Sequence, residues 1–236
     1  MMFLDTFFTQ QDDTLRITRQ QASSFAKGIA GDFNPIHNED AKRFCVPGDL
    51  LFALVLNHYG LSQRMQFDFA GMVGDDVALH FPKTDSGEIA ITDDNDKTYL
   101  TVKYEGEMTN DETLISDLVR QYVAFSGQTF PHILVPLMNE NNVMINPDRP
   151  LVIYESMVIE MDRLDISAPE LELTNASLDV KGKRGNASIE FSVKAQGETV
   201  GHGNKTMVLS GLREYDQASI DTLVNNYATH KNAYQQ

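Results

Sequence analysis

One stretch of the chain combines residue types that can move protons: Gly31-Asp32-Phe33-Asn34-Pro35-Ile36-His37. It sets a carboxylate and an imidazole five residues apart on one loop. Pro35 stiffens that loop, because its ring fixes φ and drives Asn34 out of the helical region. A pair so placed can hold a single water, and a water flanked by an acid and a base is a starting point for general acid–base chemistry. The competing reading is a plain turn, with Asp32 as a local cap, Asn34-Pro35 as turn formers and His37 as an exposed residue at a helix start. The helical patterns on both sides of the string favour the first reading.

Other candidates are weaker. Asp94, Asp96, Thr98 and Glu105 fall at calcium-loop spacing, yet Tyr99 stands where such a loop needs glycine, so a hairpin turn is expected there. Ser126 sits in Phe-Ser-Gly and not in a nucleophile elbow. Cys45, the single cysteine, has no recognisable base beside it and reads as a buried thiol. His58 reads as a core histidine on the apolar face of a helix. No cluster has zinc spacing, so neither a metal nor a cofactor is expected.

The elements that must carry the loop follow from periodicity. Thr18 and Gln21 form a capping box, and Ala22, Phe25, Ala26 and Ile29 make one apolar helix face that Gly31 ends. Asn38-Glu39-Asp40 predicts a short second helix through Phe44. Pro47-Gly48 opens a third, with Leu50, Leu51, Leu54, Val55, His58 and Leu61 on one side; it is the most apolar and the candidate central helix. Alternation then predicts strands at Val77–Phe81, Glu88–Ile91 and Tyr99–Tyr104, divided by Gly and Asp/Asn turns.

The pattern then restarts with a helix at Asn110-Asp111-Glu112 carrying Leu114, Leu118, Tyr122 and Phe125. Gly127 lies 96 positions after Gly31, and Pro131 the same distance after Pro35. Each loop then reaches a Val-Pro step, Val46-Pro47 and Val135-Pro136, while Asn38–Phe44 has no counterpart in the second copy. Further strands are expected at Leu151–Ile159, Leu173–Val180, Ala187–Ala195 and Glu198–Leu209, with Gly201 and Gly203 letting a strand bend, and an amphipathic helix over Gln217–Ala233. Helices then strands, twice over, predicts a duplicated α+β unit, 1–108 and 109–236.

Composition narrows the partners. A net charge of −15 disfavours nucleic acid, and it means that any site for an anionic thioester carrier must gather basic residues locally. Met1-Met2-Phe3-Leu4-Asp5 lacks the basic start of a signal peptide, no stretch has the ~20 apolar residues of a membrane span, and a lone cysteine suits a reducing compartment. A cytoplasmic location, with no membrane partner, is the expectation.

The loop Gly31–His37, set between a helix and a glycine that opens a long apolar helix, resembles the signature of the MaoC-like, (R)-specific enoyl-CoA hydratases. Gly185–Lys194 followed by Gly197–Gly203 is similar to that family's closing hairpin. The resemblance implies an α+β double hotdog, two repeats each with a curved antiparallel sheet wrapping a helix. It implies hydration or dehydration of acyl thioesters on CoA or acyl-carrier protein, a lyase activity of fatty acid metabolism, by a monomer with an internal pseudo-dimer or by a homodimer. Asp32 and His37 would be the acid–base pair, Asn34 would position the loop, and the Gly48 N–H would polarise the thioester carbonyl. Two departures stand out. Pro47-Gly48 replaces the family's usual His-Gly, and Ala53 or Leu54 stands where a serine is common. Gln128 replaces the aspartate in the second loop, so His132 there reads as structural. The alternatives on the same fold are a non-catalytic acyl-thioester-binding protein and an acyl thioesterase.

Overall fold

The computed structural model describes residues 3–83 and 86–234. Met1 and Met2, part of the leader reading above, lie outside them. A 3-10 turn at Phe3–Thr6 and a hairpin, β1 (Thr9–Gln11) and β2 (Thr14–Arg16), precede α1 (Arg19–Phe25). Both halves of the Thr18–Gln21 capping box form, and a wide π-turn, Ala26–Ala30, ends at Gly31 with φ +66°. After α2 (Gly48–Tyr59) come β3 (Leu61–Phe69), β4 (Leu79–His80), β5 (Glu88–Thr92) and β6 (Thr98–Thr109). The chain then repeats the plan: α3 (Glu112–Gly127), a short α4 (Thr129–His132) and α5 (Leu134–Glu140), then β7 (Val143–Met144) to β12 (Arg213–Glu214). Among these, β8 (Val152–Met161), β9 (Glu170–Lys181), β10 (Arg184–Ala195) and β11 (Glu198–Ser210) are long, and α6 (Gln217–Tyr234) closes the chain.

Ten strands form one antiparallel sheet in the order β1-β2-β4-β5-β6-β3-β8-β11-β10-β9. Reading outward from the middle, the first half runs β3, β6, β5, β4 and the second β8, β11, β10, β9. In each half the first of these four strands in the chain, β3 or β8, lies at the centre and the next three return inward from the edge, while β7 pairs with β12 apart from this sheet. The two copies meet where β3 pairs with β8, Met65 opposite Ile159 and Phe67 opposite Met157. Two four-stranded units joined edge to edge, the first extended past β4 by the β1-β2 hairpin and each packed on helices, make this α+β chain a double hotdog.

α2 is the axis of the larger core. Leu50 through Leu56 are all buried, so the helix is apolar on every side instead of one, as a helix enclosed by a sheet must be. Phe52 packs edge-on to Phe67 of β3 at 5.1 Å and against Tyr122 of α3 at 4.5 Å. A smaller core gathers Leu134, Leu137 and Met138 of α5 against Ile189, Leu209 and Ile220. Leu54, 1% exposed, makes the test: Leu54→Ala should cost ~2–5 kcal/mol in chemical denaturation, and a loss under ~1 would mean that the wall of this core collapses freely.

Three expectations need correction. No helix forms over Asn38–Phe44. The Arg19 guanidinium donates to the carbonyls of Glu39 and Ala41, at 3.0 and 2.9 Å, and so takes acceptors that a helix would use. Leu61 does not extend α2: Gly60, at φ +88°, ends it and Leu61 starts β3. His58 is exposed near the end of α2, its ring against Tyr59 and Phe81, not in the core. Elsewhere the expected hairpin turn stands before β6, with Asp93 accepting from the N–H groups of Asn95 and Lys97. Gly201 and Gly203 admit close neighbours: a Cβ on either would press on β8 carbonyls of Glu160 or Val158 at 2.6 Å, and on Gly203 would overlap Phe191.

Candidate functional site

The left-handed Gly31 turns the chain sharply out of the π-turn, and Asp32 N–H closes it by donating to Ala26 O at 2.8 Å. Two nested side-chain turns follow. Asp32 Oδ1 accepts from Asn34 N–H at 2.9 Å, and Asn34 Oδ1 accepts from Ile36 N–H at 3.2 Å, capping the 3-10 turn Pro35–His37. Local chemistry thus shapes the whole loop.

His37 is held from behind. Its Nδ1 lies 2.7 Å from Cys45 O, and since a carbonyl only accepts, Nδ1 carries the proton. Nε2 is left facing Asp32 Oδ2 at 3.6 Å, beyond direct hydrogen-bond length and close enough for one water to touch both. Burial pushes the Cys45 thiol up to about 12, so at neutral pH it stays a thiol and serves here through its carbonyl.

Asp32, Asn34 and His37 line one cavity of about 720 Å³, as does Gly48. Pro47 is the N-cap of α2, where a missing N–H leaves no helical bond unmade, and its carbonyl accepts from Leu50 and Leu51. Gly48 N–H makes no hydrogen bond among the described residues, as expected of a first helical position. A Cβ there would stand 2.8 Å from Tyr154 Cδ1 and 3.2 Å from Phe69 Cε1, so glycine is what lets this backbone lie against the Phe69–Tyr154 pair. The remaining wall is mainly apolar, with Leu51, Phe130, Leu134, Val152 and Met207 prominent. Gln128 and His132 are exposed and do not line it.

Sequence reasoning missed a second polar group in the same wall. Asp49, 6% exposed in the first turn of α2, accepts the Ser126 hydroxyl at Oδ2 over 2.6 Å. Lys205 of β11, 3% exposed, donates to Ser126 Oγ in turn, and its Nζ lies 4.1 Å from the Tyr154 ring centroid. Tyr154 and Tyr122 share a close hydroxyl–hydroxyl contact beside it. Burial raises the Asp49 carboxyl, and the Lys205 charge opposes that rise. One signal existed: Lys205 occupies the inward phase of β11 with Gly203, Met207 and Leu209, where a cation is out of pattern.

α6 covers the cavity with Leu223, Asn226, Tyr227 and His230, giving the terminal helix its role. The Tyr227 hydroxyl reaches Gly31 O at 3.0 Å and Gly127 O at 3.3 Å, and accepts from Phe33 N–H at 3.4 Å. It ties the turn at Gly31 to the last residue of α3. Burial, with the Asp32 charge nearby, pushes this phenol up to about 12 and keeps it a donor. Tyr227→Phe should therefore lower stability by ~1–3 kcal/mol in urea titration, since the one O–H that the two carbonyls share and the acceptor of Phe33 N–H are both lost; an unchanged midpoint would remove α6 from the support of the loop.

The sequence matches the model of a family described as "Protein of unknown function (DUF3581)" over residues 2–218. No curated protein matches it. Among solved structures, the chain is similar to a conserved hot dog fold protein from Alicyclobacillus acidocaldarius, at 8% identity and TM-score 0.46, covering 89% of this chain and 98% of that one. It is similar to an acyl-CoA thioesterase II from Mycobacterium marinum, at 8% identity and TM-score 0.43, covering 92% and 99%. A MaoC-like dehydratase is similar at 10% identity and TM-score 0.41, covering 87% and 98%. With nearly its whole length inside the one family match, the chain belongs to the DUF3581 family.

Proposed function

We propose that the chain is a MaoC-like, (R)-specific enoyl-thioester hydratase, working in the cytoplasm and equally able to dehydrate the 3-hydroxyacyl product. One observation carries this reading: Asp32 Oδ2 and His37 Nε2 face each other at 3.6 Å on the wall of a largely apolar cavity that also reaches Gly48. In hydration, the water held by the pair forms its O–C bond at Cβ. The C=C electron pair moves toward the thioester oxygen, and a proton passes through the pair from the water to Cα, so no atom is gained or lost. Asn34 holds the loop in shape, and the Gly48 N–H, at the positive end of α2, meets the oxygen as it gains charge.

The units are 1–108, which carries the site, and 109–236, whose loop lacks the aspartate and whose Phe130 and Leu134 shape the acyl pocket. The handle is CoA or acyl-carrier protein, and one chain already supplies the usual hotdog pair. The test follows enoyl-CoA absorbance and free thiol together in one reaction. Loss of the enoyl signal with no thiol release is expected. Thiol release at a matching rate would make the protein a thioesterase, and binding without either change would make it an acyl-binding protein.

A further inference from the structure

We infer that Lys205 is a second donor to the thioester carbonyl, paired with Gly48 N–H in an oxyanion site at the first turn of α2. This rests on the hydratase reading for the bond that reacts, but not for the carbonyl that is held. Lys205 is buried, lines the cavity, and carries three N–H donors. One is used on Ser126 Oγ, and the Tyr154 ring face takes part of the charge. Among the described residues no carboxylate forms an ion pair with it. Its other two N–H groups have no oxygen partner among the described residues, and a buried ammonium is costly until they find one.

Its position says which oxygen. The ring of Tyr154 that lies 4.1 Å from Lys205 Nζ is the ring on which Gly48 rests. Asp49, next in sequence to Gly48, holds Ser126, and Ser126 holds Lys205. Ring and hydrogen-bond chain both tie the ammonium to the turn that presents the Gly48 N–H. The direction of the chain is fixed: the Ser126 proton goes to Asp49, so Lys205 must donate to Ser126 and its remaining N–H groups stay available. Among the described residues Asp49 Oδ1 is buried without a hydrogen-bond partner, an expense that makes sense where the carboxyl serves to tether a cation. An ammonium and a helix N-terminus converging on one oxygen stabilise it most when its charge is largest, in the enolate-like state.

The test reads polarisation directly. 2,4-Hexadienoyl-CoA is bound to the Asp32→Asn protein, which holds it without hydration, and its absorption red shift reports the pull on the carbonyl. Adding Lys205→Met should remove most of the shift with affinity changed less than about threefold; with Asp32 restored, kcat should fall ~10²–10³ with KM nearly constant. Lys205→Gln, a donor without the charge, guards against a misfolded methionine variant and should give an intermediate shift. A full shift in both variants overturns the inference and leaves the hydratase reading intact. Loss of binding together with the shift also overturns it, making Lys205 a binding residue only. No binding or no shift in Asp32→Asn itself overturns both. A Lys205-dependent shift in a protein whose wild type hydrates nothing upholds the inference and removes the hydratase reading.

Discussion

Gly127→Ala should destabilise the protein by at least ~3 kcal/mol, or prevent it from folding, although it adds one methyl group. A Cβ at Gly127 would overlap the Ala30 carbonyl oxygen and stand 3.3 Å from Asp32 N. These are backbone atoms in the turn that aims Asp32, pinned by the Asp32 N–H···O=C Ala26 bond and by Tyr227, so no side chain can swing aside. The two copies touch here, and the same methyl would displace the acid–base loop. Gly74→Ala is the control, its nearest neighbour being a Val77 methyl at 3.8 Å, and should change stability by under ~0.5 kcal/mol. Equal unfolding midpoints for the two variants would mean that the loops are not in firm contact.

Where local rules act alone, the fold could be read from the chain. The Thr18–Gln21 box, the turn at Gly31, the Asp111 cap and the long strands β8 to β11 all form as their residues dictate. β3 was hidden because Leu61 fits the apolar face of α2 as well as the strand alternation, and only Gly60 divides them. Asn38-Glu39-Asp40 is a sound helix start that loses to a long-range contact from Arg19. The site divides in the same way. Asp32, Asn34 and His37 share seven residues of sequence and showed themselves by spacing, while Ser126 lies 77 positions from Asp49 and 79 from Lys205. No local pattern marks residues that α2, α3 and β11 bring together from three separate stretches of the chain. Asp49 in particular reads from sequence as an ordinary acidic residue in a first helical turn.

Asp32→Asn and His37→Gln should each lower enoyl-thioester hydration by ~10²–10⁴. Asparagine keeps the acceptor that shapes the loop through Asn34 N–H and loses the charge that orients the water. Glutamine cannot present both a donor to Cys45 O and a lone pair toward Asp32 from one rigid ring. Neither side chain is part of the core, and unfolding midpoints should move little. The double variant should be scarcely slower than either single one, because a water held from one side only is already lost to the reaction. Gln128→Ala and His132→Gln, both exposed and away from the cavity, should leave the rate within about twofold of wild type.

The most direct measurement is the initial rate of crotonyl-CoA hydration, extended to longer trans-2-enoyl chains, by wild type and Asp32→Asn side by side. A measurable wild-type rate on at least one chain length is expected, with a loss of ~10² or more in the variant and the same unfolding midpoint for both proteins. An active wild type whose rate is untouched by Asp32→Asn would contradict it, because the chemistry would then lie elsewhere in the cavity.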